Sequence, residues 1–158
     1  MLQVGDEVPD FTLPAGSKDG RQEITLSKEL LAAEVVLAFY PIAFSSTCTK
    51  QMCEIRDDLA HLRGLDARVL GFSTDAHHVN TAWARHEHLD FPLLADADRV
   101  VVERIWAVGP AGGYSAMARR GLMVIGRDRR VKYVHVEADV GRWSGLDAVK
   151  TVLAAGRL

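Results

Sequence analysis

Cys48 stands where an apolar run, Val35 to Tyr40, has been stopped by Pro41 and a polar stretch, Ser45-Ser46-Thr47, leads into helical spacing. The first amides of a helix have no intrahelical partner, and the aligned peptide dipoles place partial positive charge at that end. A cysteine there has its thiolate stabilised, and the thiolate is the nucleophilic form. The alternative is an inert core residue, since free cysteine is among the most buried residue types. The polar neighbours Ser45, Ser46, Thr47, Thr49 and Lys50 weigh against that reading. Thr47 or Ser46 is the expected N-cap.

Cys53 follows five residues later. Within one helix that separation is a rise of about 7.5 Å and a rotation of about 140°. The two Cα atoms would then lie roughly 8–9 Å apart, past the limit of about 7 Å for a disulfide without backbone movement. Two roles stay open. Cys53 condenses with an oxidised Cys48 after the helix unwinds, or it packs in the core beside Met52 and Ile55 while an external thiol does that work. The sequence has no C-x-x-C, which argues against thioredoxin-type disulfide exchange.

Other chemistry-bearing residues carry less. His77, His78, His86 and His88 fall in or near one predicted helix, but no acidic residue or cysteine completes a ligand set, so surface histidines are expected, with no metal and no cofactor. Trp83, Trp106 and Trp143 read as core anchors. The stretch Gly109-Pro110-Ala111-Gly112-Gly113 lacks the surroundings of a phosphate loop and reads as a flexible connection.

The elements that must position Cys48 alternate between strand and helix periods. Val35–Tyr40 is a short apolar run suited to a strand buried on both faces. Met52, Ile55, Leu59 and Leu62 predict one helix ending near Gly64. Ala67–Thr74 predicts a second buried strand, and Asp75 an N-cap for a helix carrying Val79 and Trp83. Arg99–Trp106 reads as a shorter helix, and Gly121–Ile125 with Val131–Val136 as a hairpin turning at Arg127-Asp128-Arg129. Ser144 with Asp147 is expected to open a last helix through Leu146, Val149 and Leu153. The order implies an α/β fold with parallel pairing in the first half and antiparallel in the second. Right-handed crossovers place Val35–Tyr40 near the sheet centre. A thioredoxin-like arrangement, a central mixed sheet flanked by helices, fits as one domain over residues 1–158, although periodicity alone admits other α/β sheets.

Composition excludes more than it assigns. With 48% hydrophobic and 25% charged residues and a net charge of −2, the chain has an ordinary globular balance and calls for no nucleic-acid or membrane partner. The basic patch Arg127 to Lys132 is interrupted by Asp128 and fits a turn. Met1 to Glu7 lacks the basic and apolar regions of a signal peptide, so a cytoplasmic location is expected. A reducing compartment would keep both cysteines as thiols at rest.

Pro41, Ser45 and Cys48 form the string P-x-x-x-[T/S]-x-x-C, which resembles the active-site motif of peroxiredoxins, the alkyl hydroperoxide reductase C/thiol-specific antioxidant family. The likeness runs through most of the chain. GDEVPDFTLP at 5–14 is similar to the family's opening, and FYP…CTKQMCEIRD at 39–57 to its bacterioferritin-comigratory-protein branch. FYPIAF also resembles the one-Cys hydroperoxide reductase E branch. GFSTD at 71–75, the Trp83 helix, FPLLAD at 91–96 and RGLMVIGRDRRVKYV at 120–134 follow in the family's order.

The resemblance implies roles. Cys48 would be the peroxidatic cysteine, attacking one peroxide oxygen and expelling water or an alcohol. Ser45 would hydrogen-bond the peroxide, with backbone N–H groups of the Cys48 turn stabilising the developing oxyanion. Pro41 would shield the site from water, and Arg120 would stand beside the thiolate and polarise the peroxide. Arg119 and Arg120 are adjacent and, on a strand, face opposite sides; aligning the residues after them with the family hairpin puts Arg120 in the active position. The C-x-x-x-x-C spacing implies that Cys53 resolves the sulfenate within the same helix. Arg56 is either semi-buried near the site or a helix salt-bridge partner.

The expected function is reduction of hydrogen peroxide and organic hydroperoxides, with thioredoxin or a similar thiol as reductant and a monomer or small homodimer as the assembly. A peroxide sensor that relays oxidation to a partner is the alternative. Two departures stand out. Ser45 replaces the commoner Thr and loses the methyl that restricts χ1, and Thr47 replaces a smaller residue, which narrows the pocket.

Overall fold

The run Val35–Tyr40 is buried throughout because the strand it forms has a core on each face. In the computed structural model, which describes residues 1–156, this strand is β3 (Glu34–Phe39). Val35, Leu37 and Phe39 enter one core, and Val36, Ala38 and the following Tyr40 enter the other. Successive strand residues face opposite sides, so a strand covered on both sides must be apolar at every position.

The chain begins with a hairpin, β1 (Thr12–Ser17) and β2 (Gly20–Thr25), and a short helix α1 (Leu26–Glu29) before β3. Then come α2 (Ser46–Asp57), α3 (Leu59–Gly64), β4 (Ala67–Ser73), α4 (His77–His86), β5 (Leu93–Ala95) and α5 (Val102–Ile105). A small hairpin, β6 (Val108–Ala111) and β7 (Tyr114–Ala118), precedes β8 (Gly121–Ile125), β9 (Val131–Val136) and α6 (Asp147–Ala155). The seven-stranded sheet has the order β2-β1-β5-β4-β3-β8-β9. β3, β4 and β5 are parallel, and the remaining pairings are antiparallel. β3 sits between β4 and β8, so its C-terminal end opens beside the start of β8, where Phe39 pairs with Gly121.

The mixed sheet flanked by helices agrees with the thioredoxin-like expectation, and five local expectations are corrected. The single helix ending near Gly64 is two: Asp58 leaves helical geometry at φ −104, ψ 5, and its carboxylate pairs with Lys150 of α6. Asp75 does not cap α4; its carboxylate is taken by the amide of Ala43. The helix expected over Arg99–Trp106 shrinks to Val102–Ile105, because the carboxylate of Asp96 accepts the amides of Val101 and Val102 and sets the start there. Ser144 does not cap α6 but bonds Glu137. Finally, Gly109–Gly113 is no loose connection. Ala111 pairs with Tyr114 across Gly112 and Gly113, both at positive φ, the conformation a two-residue hairpin turn requires.

The N-terminal hairpin packs closely on α4. A Cβ on Gly16 would lie 2.5 Å from the amide nitrogen of Thr81 and closer still to the carbonyl of His77. Both neighbours are backbone and cannot rotate away. Gly16→Ala should therefore lower unfolding free energy by about 2 kcal/mol, read as a lower urea midpoint with unchanged slope; an unchanged midpoint would refute the packing.

Candidate active site

The segment from Pro41 to Ser45 carries the chain from the end of β3 to the mouth of α2. Three local constraints shape it. The Ala43 amide donates to Asp75 Oδ2 at 2.8 Å, the Ser45 hydroxyl donates to the Ile42 carbonyl at 3.0 Å, and Phe44 takes a left-handed φ of 68°. That conformation is costly for a bulky side chain. Contacts of the Phe44 ring with Trp83 and His86 accompany it.

The N-cap of α2 is Ser45, not Ser46 or Thr47, and no side chain caps the helix because the Ser45 hydroxyl is turned back to Ile42. Thr49 makes the first bond of the helix, to Ser45 O at 2.9 Å, so the amides of Ser46, Thr47 and Cys48 precede the intrahelical ladder. Cys48 is thus in the first turn, and its side chain is fully buried. Cys48 sits in an apolar cluster with Val36, Tyr40, Met52 and Leu122, as a core cysteine would, but one polar group also reaches its sulfur.

Arg120 Nη1 donates to Cys48 Sγ at 3.2 Å and to Gln51 Oε1 at 2.8 Å. Nη2 donates to the carbonyl of Val140 at 2.9 Å, while Nε is buried and has no hydrogen-bond partner. With Pro41 and Ala111, Arg120 lines a cavity of about 40 Å³. Arg119 turns the other way, donating to the carbonyl of Glu137 at 2.8 Å. Pro41 and Ser45 both lie on the loop leading into the Cys48 helix, but the Ser45 hydroxyl is directed to Ile42.

Gln51 was missed in the sequence. It is fully buried, and its amide nitrogen donates to the Phe39 carbonyl at 3.1 Å, so it ties α2 to the end of β3 while presenting oxygen to Arg120. Its position three residues after Cys48, on the same helix face, was the available signal.

Cys53 lies about 1.4 turns beyond Cys48 on α2, which runs unbroken past both cysteines, and both are free thiols. Its thiol donates to Glu87 Oε2 at 3.4 Å. Partial burial and that bond to Glu87 push the Cys53 thiol above its ordinary value, against a smaller opposing effect of Arg56. Arg56 is half-buried, donating to the Glu87 carbonyl at 2.7 Å and pairing with Asp57. Among the described residues no group of three or more His, Cys, Asp or Glu side chains gathers as a metal site, and no helix is long and apolar enough to cross a membrane.

The AhpC/TSA family model matches residues 4–134, most of the chain. The chain belongs to that family. It is similar to Peroxiredoxin Bcp of Escherichia coli K12, 37% identical over 107 residues covering 66% of each protein. It is 34% identical to Putative peroxiredoxin Rv1608c of Mycobacterium tuberculosis over 82% of each. It is also 34% identical to Peroxiredoxin bcp1 of Schizosaccharomyces pombe, where the match covers 71% of this chain and 56% of the relative. Among solved structures, the peroxidoxin BcpB of M. tuberculosis superposes with a TM-score of 0.85 at 31% identity over 98% of both chains. By these measures the chain is a peroxiredoxin with the family's thioredoxin-like fold.

Two group properties give tests. Burial raises the carboxyl of Asp75 above its ordinary value of 3.8, opposed by the bonds from Ala43 and Ser73. The folded state therefore holds this proton more tightly than the unfolded chain, and stability from the site falls as pH rises through that window. Wild type should lose stability relative to Asp75→Asn as pH rises above about 4 in urea titrations; a relative gain would contradict the assignment. For Cys53, removing the Glu87 carboxylate brings the thiol back toward its ordinary range. Glu87→Ala in a Cys48→Ser background should speed alkylation of Cys53 by iodoacetamide at pH 8 by about threefold. An unchanged or slower rate would count against the hydrogen bond.

Proposed function

We propose that this chain is a thiol peroxidase whose nucleophile is Cys48. The observation that carries the reading is the buried guanidinium of Arg120 with Nη1 3.2 Å from Cys48 Sγ. The guanidinium places a fixed N–H donor and a positive charge at the sulfur, where attack on a peroxide begins. An S–O bond forms as the O–O bond breaks, and the departing oxygen leaves as water or an alcohol once protonated. Charge develops on that oxygen, and preorganised donors lower the barrier where charge develops. The first-turn amides of α2 and the unpartnered Nε of Arg120 are the donors available. The Ser45 hydroxyl, committed as donor to Ile42, keeps lone pairs to accept the peroxide's own O–H. Pro41, buried at the rim of the small cavity, keeps water from the sulfur.

The product is a sulfenate on Cys48, and Cys53 resolves it by forming a disulfide with loss of water. In the intact α2 the cysteines are too far apart, so the first turns unwind in each cycle, and thioredoxin or another small dithiol then reduces the disulfide. Hydrogen peroxide and organic hydroperoxides are the substrates, in the cytoplasm, with the protein acting as a monomer or small homodimer.

Stopped-flow oxidation of wild type, Cys48→Ser and Cys53→Ser tests the assignment. Peroxide consumption should fall by roughly 10³-fold or more in Cys48→Ser, because loss of a nucleophile removes the whole route, and an undiminished rate would end the proposal. In Cys53→Ser the first oxidation should keep its rate. Non-reducing mass spectrometry after one equivalent of peroxide should give wild type two hydrogens lighter. A stable sulfenate without that loss assigns resolution to an external thiol.

A further inference from the structure

Glu137 is a carboxylate only 2% exposed, at the end of the β9 segment, and nothing in the chemistry above uses it. Burying a carboxylate is costly unless its oxygens are fully bonded, so its partners indicate its purpose. Oε1 accepts the Ser144 amide at 2.7 Å, and Oε2 accepts the Ser144 hydroxyl at 2.8 Å. Arg142 and His135 approach at 3.8 and 3.5 Å. The two bonds to Ser144 close the segment 138–143 into a ring whose near end is anchored where the Glu137 amide donates to Arg120 O at 2.9 Å.

Inside that ring one group reaches the reaction centre. Val140 has a half-exposed side chain, but its carbonyl accepts Arg120 Nη2 at 2.9 Å. The neighbouring Asp139 carboxylate accepts the Gly141 amide at 2.9 Å and shapes the turn around it. Trp143, at the far end, donates to Glu54 Oε2 at 2.6 Å and fastens the ring to α2. The guanidinium of Arg120 therefore has two supports, Gln51 from the helix and the Val140 carbonyl from the ring.

We propose that Glu137 is a positioning residue for the peroxidase reaction: it clasps the 137–144 ring so that the Val140 carbonyl holds Arg120 in register with Cys48. The proposal rests on the assignment of Arg120 to the reaction. Without the clasp, the ring loses its closure, Nη2 loses a fixed acceptor, and Nη1 no longer has one defined orientation toward Sγ.

The test is a double-mutant cycle on the rate of Cys48 oxidation by hydrogen peroxide, using Glu137→Ala, Arg120→Met and the double variant. Glu137→Ala should slow oxidation about tenfold, in keeping with the cost of misplacing a group at a reaction centre. In the Arg120→Met background the same substitution should change nothing further. A loss of fold acting elsewhere would instead multiply with the Arg120 defect. Ser144→Ala, at an exposed position, removes one of the two clasp bonds and carries the test should Glu137→Ala not fold; it should slow oxidation about threefold and likewise have no effect with Arg120→Met. Folded Glu137→Ala or Ser144→Ala at the wild-type rate, or full additivity with Arg120→Met, overturns the clasp. A wild-type rate in Arg120→Met overturns the clasp together with the Arg120 assignment, and the single Arg120→Met measurement tells that failure apart.

Discussion

A guanidinium cannot lose its charge inside a protein, so a buried one must find acceptors for its N–H groups. Arg120 is 2% exposed, and its three acceptors come from two parts of the chain: Cys48 Sγ and Gln51 Oε1 on α2, and the Val140 carbonyl in the segment after β9. None of these is near Arg120 in sequence. Satisfying the cation therefore requires β3 and β8 to pair, α2 to start beside the end of β3, and the 137–144 segment to fold back over the site. Gln51 binds this together a second time, through the carbonyl of Phe39. The site's electrostatics and much of its local architecture thus answer to one constraint.

The same helix that delivers Cys48 to this cation separates it from Cys53. Its first turns rest on a loop with an uncapped N-terminus and Phe44 at positive φ, whereas its later turns are fastened by Arg56 to the carbonyl of Glu87 and by Glu54 to Trp143. The fastenings are thus unevenly distributed: the end carrying Cys48 depends on Arg120 and Gln51, and the end carrying Cys53 depends on partners outside the reaction centre. An unwinding confined to the first turns would break the former set and spare the latter.

Where local pattern and tertiary contact competed, tertiary contact won. Asp75 and Ser144 are good capping residues by type, yet each spends its side chain elsewhere, Asp75 on the Ala43 amide of the active loop and Ser144 on the buried Glu137. Asp58 lies in a helical pattern, but its ion pair with Lys150 accompanies a break between α2 and α3. The turn at Gly112-Gly113 is a different case: adjacent glycines are a hairpin signal by type, and the structure places both at positive φ between β6 and β7.

Sequence alone determined the buried strand ending at Pro41, the cysteine at the head of an amphipathic helix and the β8–β9 hairpin, whereas Arg120 over Arg119 was implied by the resemblance to the family hairpin. These depend on short-range periodicity, on the two faces of a strand, and on a motif carried by neighbouring residues. Tertiary structure alone decided that Cys48 is wholly buried, that Gln51 shares its cation, that the Ser45 hydroxyl turns to Ile42, and that Glu137 and Val140 stand behind the guanidinium. The physical reason is that hydrogen-bond partners of buried polar groups are chosen by proximity in space. A side chain's type states what it can donate or accept, and only the packed sheet states to whom.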